Sequence, residues 1–337
     1  MSSESASISE VRRRPAWVQL LRLARPQQWL KSGFVVVGPF YAMQDTRVEG
    51  AAFWDVVWVA FWAAAAFSLA SSGCYVFNDL ADMERDRAHP RKRHRPLASG
   101  AVSPGAAKVF GMTLFLAGGL CLLGLPQEVL GWVGLLLALH VGNVLVYSAG
   151  LKRVVIIDVM SLSMGFVLRV MAGCAAVGIG PSTWLLNVTF FLSMFLAFGK
   201  RLGERRTMGS GEDAARARSV QLDYSDELLR MVVVVTGVAT LVTYAGYVQG
   251  RAEDYHLGFN LLWLTVLPAT YGLIRCITLL ERGDFDDPTE LAVHDPACRV
   301  AAALFVAMSL ALVGLRAWTG VFGGEIGVGG TLTIGSM

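Results

Sequence analysis

Asp79, Asp82 and Asp86 stand at positions i, i+3 and i+7, with Asn78 just ahead of them. On an α-helix that spacing gathers the three carboxylates within an arc of about 60°, and Glu84 points elsewhere. Carboxylates on one stripe repel each other unless a cation compensates. Hard oxygen donors facing one point suit Mg2+, which takes a few carboxylates and fills its shell with water and substrate phosphates. Arg85, Arg87, Arg91, Lys92, Arg93 and Arg95 follow directly, and guanidinium forks beside a metal are a way to hold polyphosphate. The pattern therefore predicts a metal–diphosphate site with Asp79, Asp82 and Asp86 as ligands. The alternative is a solvated loop held by ion pairs, with some arginines only enforcing topology or touching anionic lipid.

Other polar islands accompany this one. In "YSAGLKRVVIID" (Tyr147 to Asp158), Lys152 and Arg153 occupy a short loop, and Asp158 opens the next apolar run. Arg169 lies eleven residues further along that run. An acid and a base inside an apolar helix need a partner or an aqueous cavity. The two fall on nearly one helical face, so they are expected to line one cavity; an interhelical structural ion pair is the alternative. "FGKRLGERR" brings Lys200 and Arg201, and "LARPQQWLKSGF" brings Arg25, Gln27, Gln28 and Lys31 on a pattern that suits an interfacial helix. The histidines (His89, His94, His140, His256, His294) form no metal-like pair, so zinc is not expected. The five cysteines show no metal-ligand spacing and read as small buried hydrophobes.

The elements that must position these groups are membrane helices. Of the 337 residues 54% are hydrophobic and only 16% charged, with a mean hydropathy of +0.52. The apolar runs exceed what a soluble core or a barrel strand needs. Nine spans are expected, at about 30–45, 54–77, 107–125, 129–149, 155–177, 183–201, 230–249, 258–280 and 298–320. Lysine and arginine collect on one side: the N-terminal stretch, the loop after Asp86, Lys152 and Arg153, and the segment after Lys200. Arg47 and Arg251 fall on the other side. The positive-inside rule then places the N-terminus and the charged loops in the cytoplasm and the C-terminus outside, in an integral plasma (inner) membrane protein. The expected organisation is a disordered tail at 1–20, one transmembrane domain at 21–320 and a flexible tail at 321–337. No two-half symmetry of broken helices, as in many transporters, is visible.

Asn78 to Asp86 matches the NDxxDxxxD motif of the UbiA superfamily of intramembrane prenyltransferases, and "RPLASG" and "YSAGLKR" also resemble that family. The resemblance implies nine helices around a lateral central cavity capped by cytoplasmic loops, with Mg2+ as cofactor. "RPQQWLKSGFVVVGPF", "NDLADMERDRAHPRKRHRPLASG" and "YSAGLKRVVIIDVMSLSMGFVLRVMAG" are similar to the decaprenyl-phosphate phosphoribosyltransferase branch. That branch implies phosphoribosyl pyrophosphate as donor and polyprenyl phosphate as acceptor. One departure stands out. The family's second motif carries DxxxD, whereas Leu162 stands four residues after Asp158, which argues against an ordinary prenyl diphosphate site. The resemblance implies roles as follows: Asp79, Asp82 and Asp158 in catalysis; Asn78, Lys31, Arg85, Arg91, Arg95, Tyr147, Lys152, Arg153, Lys200 and Arg201 on the substrates, chiefly their phosphates; Asp158 on ribose hydroxyls and Arg169 on the lipid phosphate. A UbiA-type prenyl transfer to an aromatic or lipid acceptor is the competing expectation. Membrane lipid is an expected partner, nucleic acid is not, and a homo-oligomer is left open.

Overall fold

The computed structural model describes residues 15–42, 53–88, 92–208, 224–282 and 294–319. Helix α1 (Ala16–Ala24) begins inside the stretch assigned to the N-terminal tail. Its Leu23 and Ala24 are buried against Val76, Leu97 and Leu114, while Trp17 and Leu21 stay exposed. This is the amphipathic division that the sequence pattern requires of an interfacial helix. The remainder of the two predicted tails, 1–14 and 320–337, lies outside the described residues.

Among the described residues, eight helices are long and apolar enough to cross a membrane. They are α3 (Phe53–Ala81), α5 (Pro104–Cys121), α6 (Gln127–Ala149), α7 (Ile157–Ala176), α8 (Thr183–Met208), α9 (Asp226–Gly250), α10 (Val266–Arg282, counted with the 3-10 helix Leu261–Thr265 that leads into it) and α11 (Pro296–Thr319). The six-residue α4 (Met83–Ala88) follows α3 directly. The expected first span differs. It is a 3-10 helix, Pro26–Ser32, running into the ten-residue α2 (Gly33–Ala42), and residues 43–52 lie outside the described set. Pro26 opens the 3-10 turn, Pro39 removes a donor from the helix interior, and Gln27, Gln28 and Lys31 leave only the part from Phe34 onward apolar. The only strands among the described residues form a two-residue antiparallel ladder, β1 (His256–Leu257) with β2 (Phe259–Asn260), turned by Gly258 at φ 76°.

Helix α7 is the centre of the bundle: 67% of its apolar window is buried, against 11% for α11 at the periphery. On one side, α2, α3, α6 and α7 share a core of Val35, Ala63, Phe67, Leu137 and Leu168. On the other, α7 to α11 share Val159, Phe195, Phe198, Leu229 and Leu280. The α2–α7 crossing is tight enough to bring backbones together. A Cβ built on Gly38 would strike the backbone of Gly173 and Cys174, and one on Gly173 would strike the Val35 carbonyl. Small residues let membrane helices approach until backbones touch. This crossing holds Lys31, just before α2, next to the polar wall of α7. Four of the five cysteines are buried, and all are free thiols.

Candidate active site

Where α3 ends, the chain keeps its helical pitch into α4. Asp82 N donates to Asn78 O and Asp86 N to Asp82 O, both at 2.9 Å. The predicted carboxylate stripe is therefore real, but cationic side chains already occupy it. Asp79 accepts from Arg25 Nη2 at 2.6 Å and from Arg95 Nη1 at 3.0 Å. The same Arg95 nitrogen reaches Asp86 Oδ2 at 2.7 Å. Lys152 Nζ lies 3.2 Å from Asp82 Oδ2, and Arg85 is a looser neighbour at 3.9 Å. Arg25 takes a left-handed conformation at the end of α1, φ 53°, which turns the chain so that its guanidinium meets Asp79.

Among the described residues no set of three acids, histidines or cysteines is grouped to hold a metal ion. In this arrangement Arg95 stands between Asp79 and Asp86, and Asp82 turns to Lys152. The donor set still fits Mg2+ of another kind. One or two carboxylates suffice when the ion arrives with a diphosphate and keeps its waters. Asp82, with 22% of its side chain exposed, is the accessible member.

Next to the stripe, a cavity of about 320 Å3 opens between α3, α6 and α7. Its walls carry Arg25, Lys31 and Arg169 and no carboxylate. Asn78, Asn143, Tyr147, Ser148 and Ser161 add amides and hydroxyls. The polar wall is held in place by interhelical bonds: Asn143 Nδ2 donates to Ser161 O at 2.8 Å, and Ser161 Oγ donates to Asn143 Oδ1 at 2.9 Å. Leu162, at the position of the missing second acid, also lines this cavity. Predicted residues thus brought to the cavity are Lys31, Asn78, Tyr147 and Arg169; Arg95 and Lys152 stand on the aspartates beside it. Trp54 and Trp58, early in α3, are exposed on the bundle exterior.

Asp158 does not join Arg169 in the cavity. It forms an ion pair with Arg201, both nearly fully buried, and accepts from Tyr224 Oη at 2.9 Å and from Val159 N at 2.8 Å. Tyr224 Oη in turn accepts from Ile156 N at 2.6 Å, where Ile156 takes a φ of 69°. Burial pushes the Tyr224 hydroxyl up to about 12, so it stays a donor at neutral pH. Helical angle places Asp158 and Arg169 on one face, but α7 has different neighbours at its end and at its middle. Arg201 of α8 claims the acid near the end. Arg153 is exposed and Lys200 half-buried, and neither lines the cavity; Arg91 lies outside the described residues. Arg201→Met is expected to destabilise the fold by about 3–5 kcal/mol, because it strands a buried carboxylate. Thermal unfolding in detergent measures this, and the Asp158→Asn, Arg201→Met double variant should recover part of the loss. A wild-type melting profile in Arg201→Met would show the pair to be dispensable.

Sequence reasoning passed over Ser71, Tyr75 and Asn143 on the cavity wall, and took His140 only as an unpaired histidine. The available signal was polar residues inside apolar runs, with His140 and Asn143 three apart on α6. Tyr224 carried no such signal, since it follows a polar segment.

A membrane bundle that is polar inside, cationic on its cavity wall and acidic at the cavity mouth is built as an intramembrane transferase of phosphorylated substrates. The chain belongs to the UbiA prenyltransferase family, whose model matches residues 34–294. It is 31% identical over 318 residues to the decaprenyl-phosphate phosphoribosyltransferase of Mycolicibacterium smegmatis, covering 91% of this chain and 92% of the relative. It is 33% identical to the enzyme of the same name from Corynebacterium glutamicum, over 85% of this chain and 84% of that one. The fold is that of a UbiA homolog from Archaeoglobus fulgidus, solved with DMAPP and Mg2+: TM-score 0.63, 17% identity, 88% of this chain and 99% of that one.

Proposed function

We propose that this protein transfers 5-phosphoribose from phosphoribosyl pyrophosphate to a polyprenyl phosphate. The observation that carries the reading is the cavity wall: three cations, several amides and hydroxyls, and no acid. Such a wall suits a sugar phosphate, which offers anions and hydroxyls, better than an isoprenyl tail. Leu162 in place of a second-motif acid supports the same choice. The two phosphoribosyltransferase relatives are matched over most of their length.

In the reaction a phosphate oxygen of the lipid attacks C1 of the ribose. A new C1–O bond forms, the C1–O bond to pyrophosphate breaks, and its electron pair departs with pyrophosphate. The attacking phosphate is already anionic at pH 7, so no strong base is needed. Mg2+, when bound, neutralises charge growing on the leaving group. Asp82 and Asp79 are the residues proposed to hold it, and Arg95, Lys152 and Arg25, released from the aspartates, are proposed to meet the phosphates. The lipid tail runs out into the bilayer. The basic loops set the mouth of the site on the cytoplasmic side.

Purified protein with Mg2+, polyprenyl phosphate and ribose-labelled phosphoribosyl pyrophosphate tests this. Label should pass into the butanol phase only with both substrates. Transfer from an isoprenyl diphosphate instead, with no ribose label moving, would replace this reading by prenyl transfer.

A further inference from the structure

Arg169 sits deep in α7 at 6% exposure. Its partners among the described residues are Gly165 O at 3.1 Å, Ser71 Oγ at 3.0 Å and the Phe166 ring at 5.6 Å, none of them anionic. A buried guanidinium within a membrane helix is costly unless an anion reaches it. Two ring and side-chain nitrogens here are fully buried without a hydrogen-bond partner, Arg169 Nε and His140 Nδ1, and both residues line the cavity. Ser71 Oγ lies 3.2 Å from His140 Nε2. A hydroxyl that accepts from a guanidinium becomes a better donor. Ser71 Oγ therefore ties the Arg169 guanidinium to the His140 ring. The floor of the cavity thus carries one positive charge with no anion beside it among the described residues.

We propose that Arg169 and His140, with Ser71 as the positioning residue between them, form a phosphomonoester subsite that receives the 5-phosphate of the donor. The inference rests on the phosphoribosyl reading above and adds which residues recognise the end of the donor remote from C1. Ser71 precedes Asp79 on α3 by eight residues, a separation of about 12 Å along the helix. A ribose carrying its 5-phosphate, laid along the Asn78, Asn143 and Ser161 wall, places its diphosphate at the aspartates and its phosphomonoester at this floor. An isoprenyl diphosphate has no charge at its far end and would leave Arg169 unpaired. The subsite therefore sets donor specificity, since a buried polar group left without its partner penalises the wrong substrate.

Binding of ribose 5-phosphate, of inorganic pyrophosphate with Mg2+, and of a short-chain polyprenyl phosphate would be measured on the full chain in detergent. The wild type is compared with Arg169→Gln, Arg169→Lys, His140→Phe and Ser71→Ala. Ribose 5-phosphate should bind at least tenfold more weakly to Arg169→Gln and His140→Phe, and severalfold more weakly to Ser71→Ala. Arg169→Lys should recover part of the loss, and pyrophosphate binding should stay within twofold throughout. Ser71→Ala removes one oxygen and serves where a larger change does not give monodisperse protein. Unchanged ribose 5-phosphate binding overturns the subsite, as does equal loss of both anions. Selective loss of polyprenyl phosphate binding would reassign the floor to the lipid and likewise overturn it. A wild type that transfers ribose label while these variants keep ribose 5-phosphate binding refutes this inference alone. A wild type that uses only isoprenyl diphosphate refutes it together with the proposed function.

Discussion

Gly173→Val is expected to stop the bundle from assembling: little monodisperse protein after extraction, and a melting point far below that of the wild type for what remains. Gly173 faces the Val35 carbonyl so closely that even a methyl group would overlap it, and that methyl would also sit 3.0 Å from the Pro39 ring. A flexible side chain could turn away; a carbonyl in helix α2 cannot move unless the whole helix does. Overpacking in an ordinary core costs about 1–3 kcal/mol, and the contact with main chain puts this site at or above the top of that range. Separating α2 from α7 would also displace Lys31 from the cavity, so residual protein should bind anions poorly. Gly178→Ala is the control on the same side of the molecule, where an added Cβ meets nothing; its cost comes only from the φ of 74°. Near-equal yields and melting points for the two variants would show that the α2–α7 crossing tolerates more space than the contact implies.

The class of fold was legible because membrane helices are written in composition. Long apolar runs with few charges have no other stable form in lipid, and eight of the nine expected spans appear as single long helices or their equivalents. The aspartate stripe was legible because Asp79, Asp82 and Asp86 repeat at helical spacing beside a dense cationic run. Which partner each acid takes was not legible. Helical angle says which face Asp158 occupies, but not that Arg201 and Tyr224 stand opposite it, because those neighbours come from segments more than forty residues away. Ser71 and His140 were hidden for the same reason. A lone serine or histidine in an apolar span has many uses, and only the packing of α3, α6 and α7 brings the pair to Arg169. Arg25 was seen as part of an interfacial segment, yet its contact with Asp79 needs the left-handed turn at the end of α1, which a residue preceding proline does not announce.

Asp82→Asn is expected to reduce transfer of ribose label by about a hundredfold or more while leaving the fold intact. Removing one preorganised group that stabilises developing charge commonly costs a factor of about 100 to 1000 in turnover. The choice among the aspartates matters. Asp79 is 2% exposed and joins Arg25 and Arg95, so its loss strands two cations and confuses stability with chemistry. Asp86 shares Arg95 and is nearly as buried. Asp82 stands at the α3–α4 junction, partly exposed, with only Lys152 and the looser Arg85 beside it. Its amide analogue keeps the shape and the backbone bond to Asn78 O. The melting point should therefore shift little, and the Mg2+ concentration for half-maximal activity should rise. Lys152→Met is the informative companion. If Lys152 leaves Asp82 to meet substrate phosphate, this variant should weaken donor binding and leave the Mg2+ dependence near that of the wild type. Should Asp82→Asn turn over at the wild-type rate, the carboxylate stripe is an ion-pair network and not a metal–diphosphate site, and the solvated-loop reading of the sequence is the correct one.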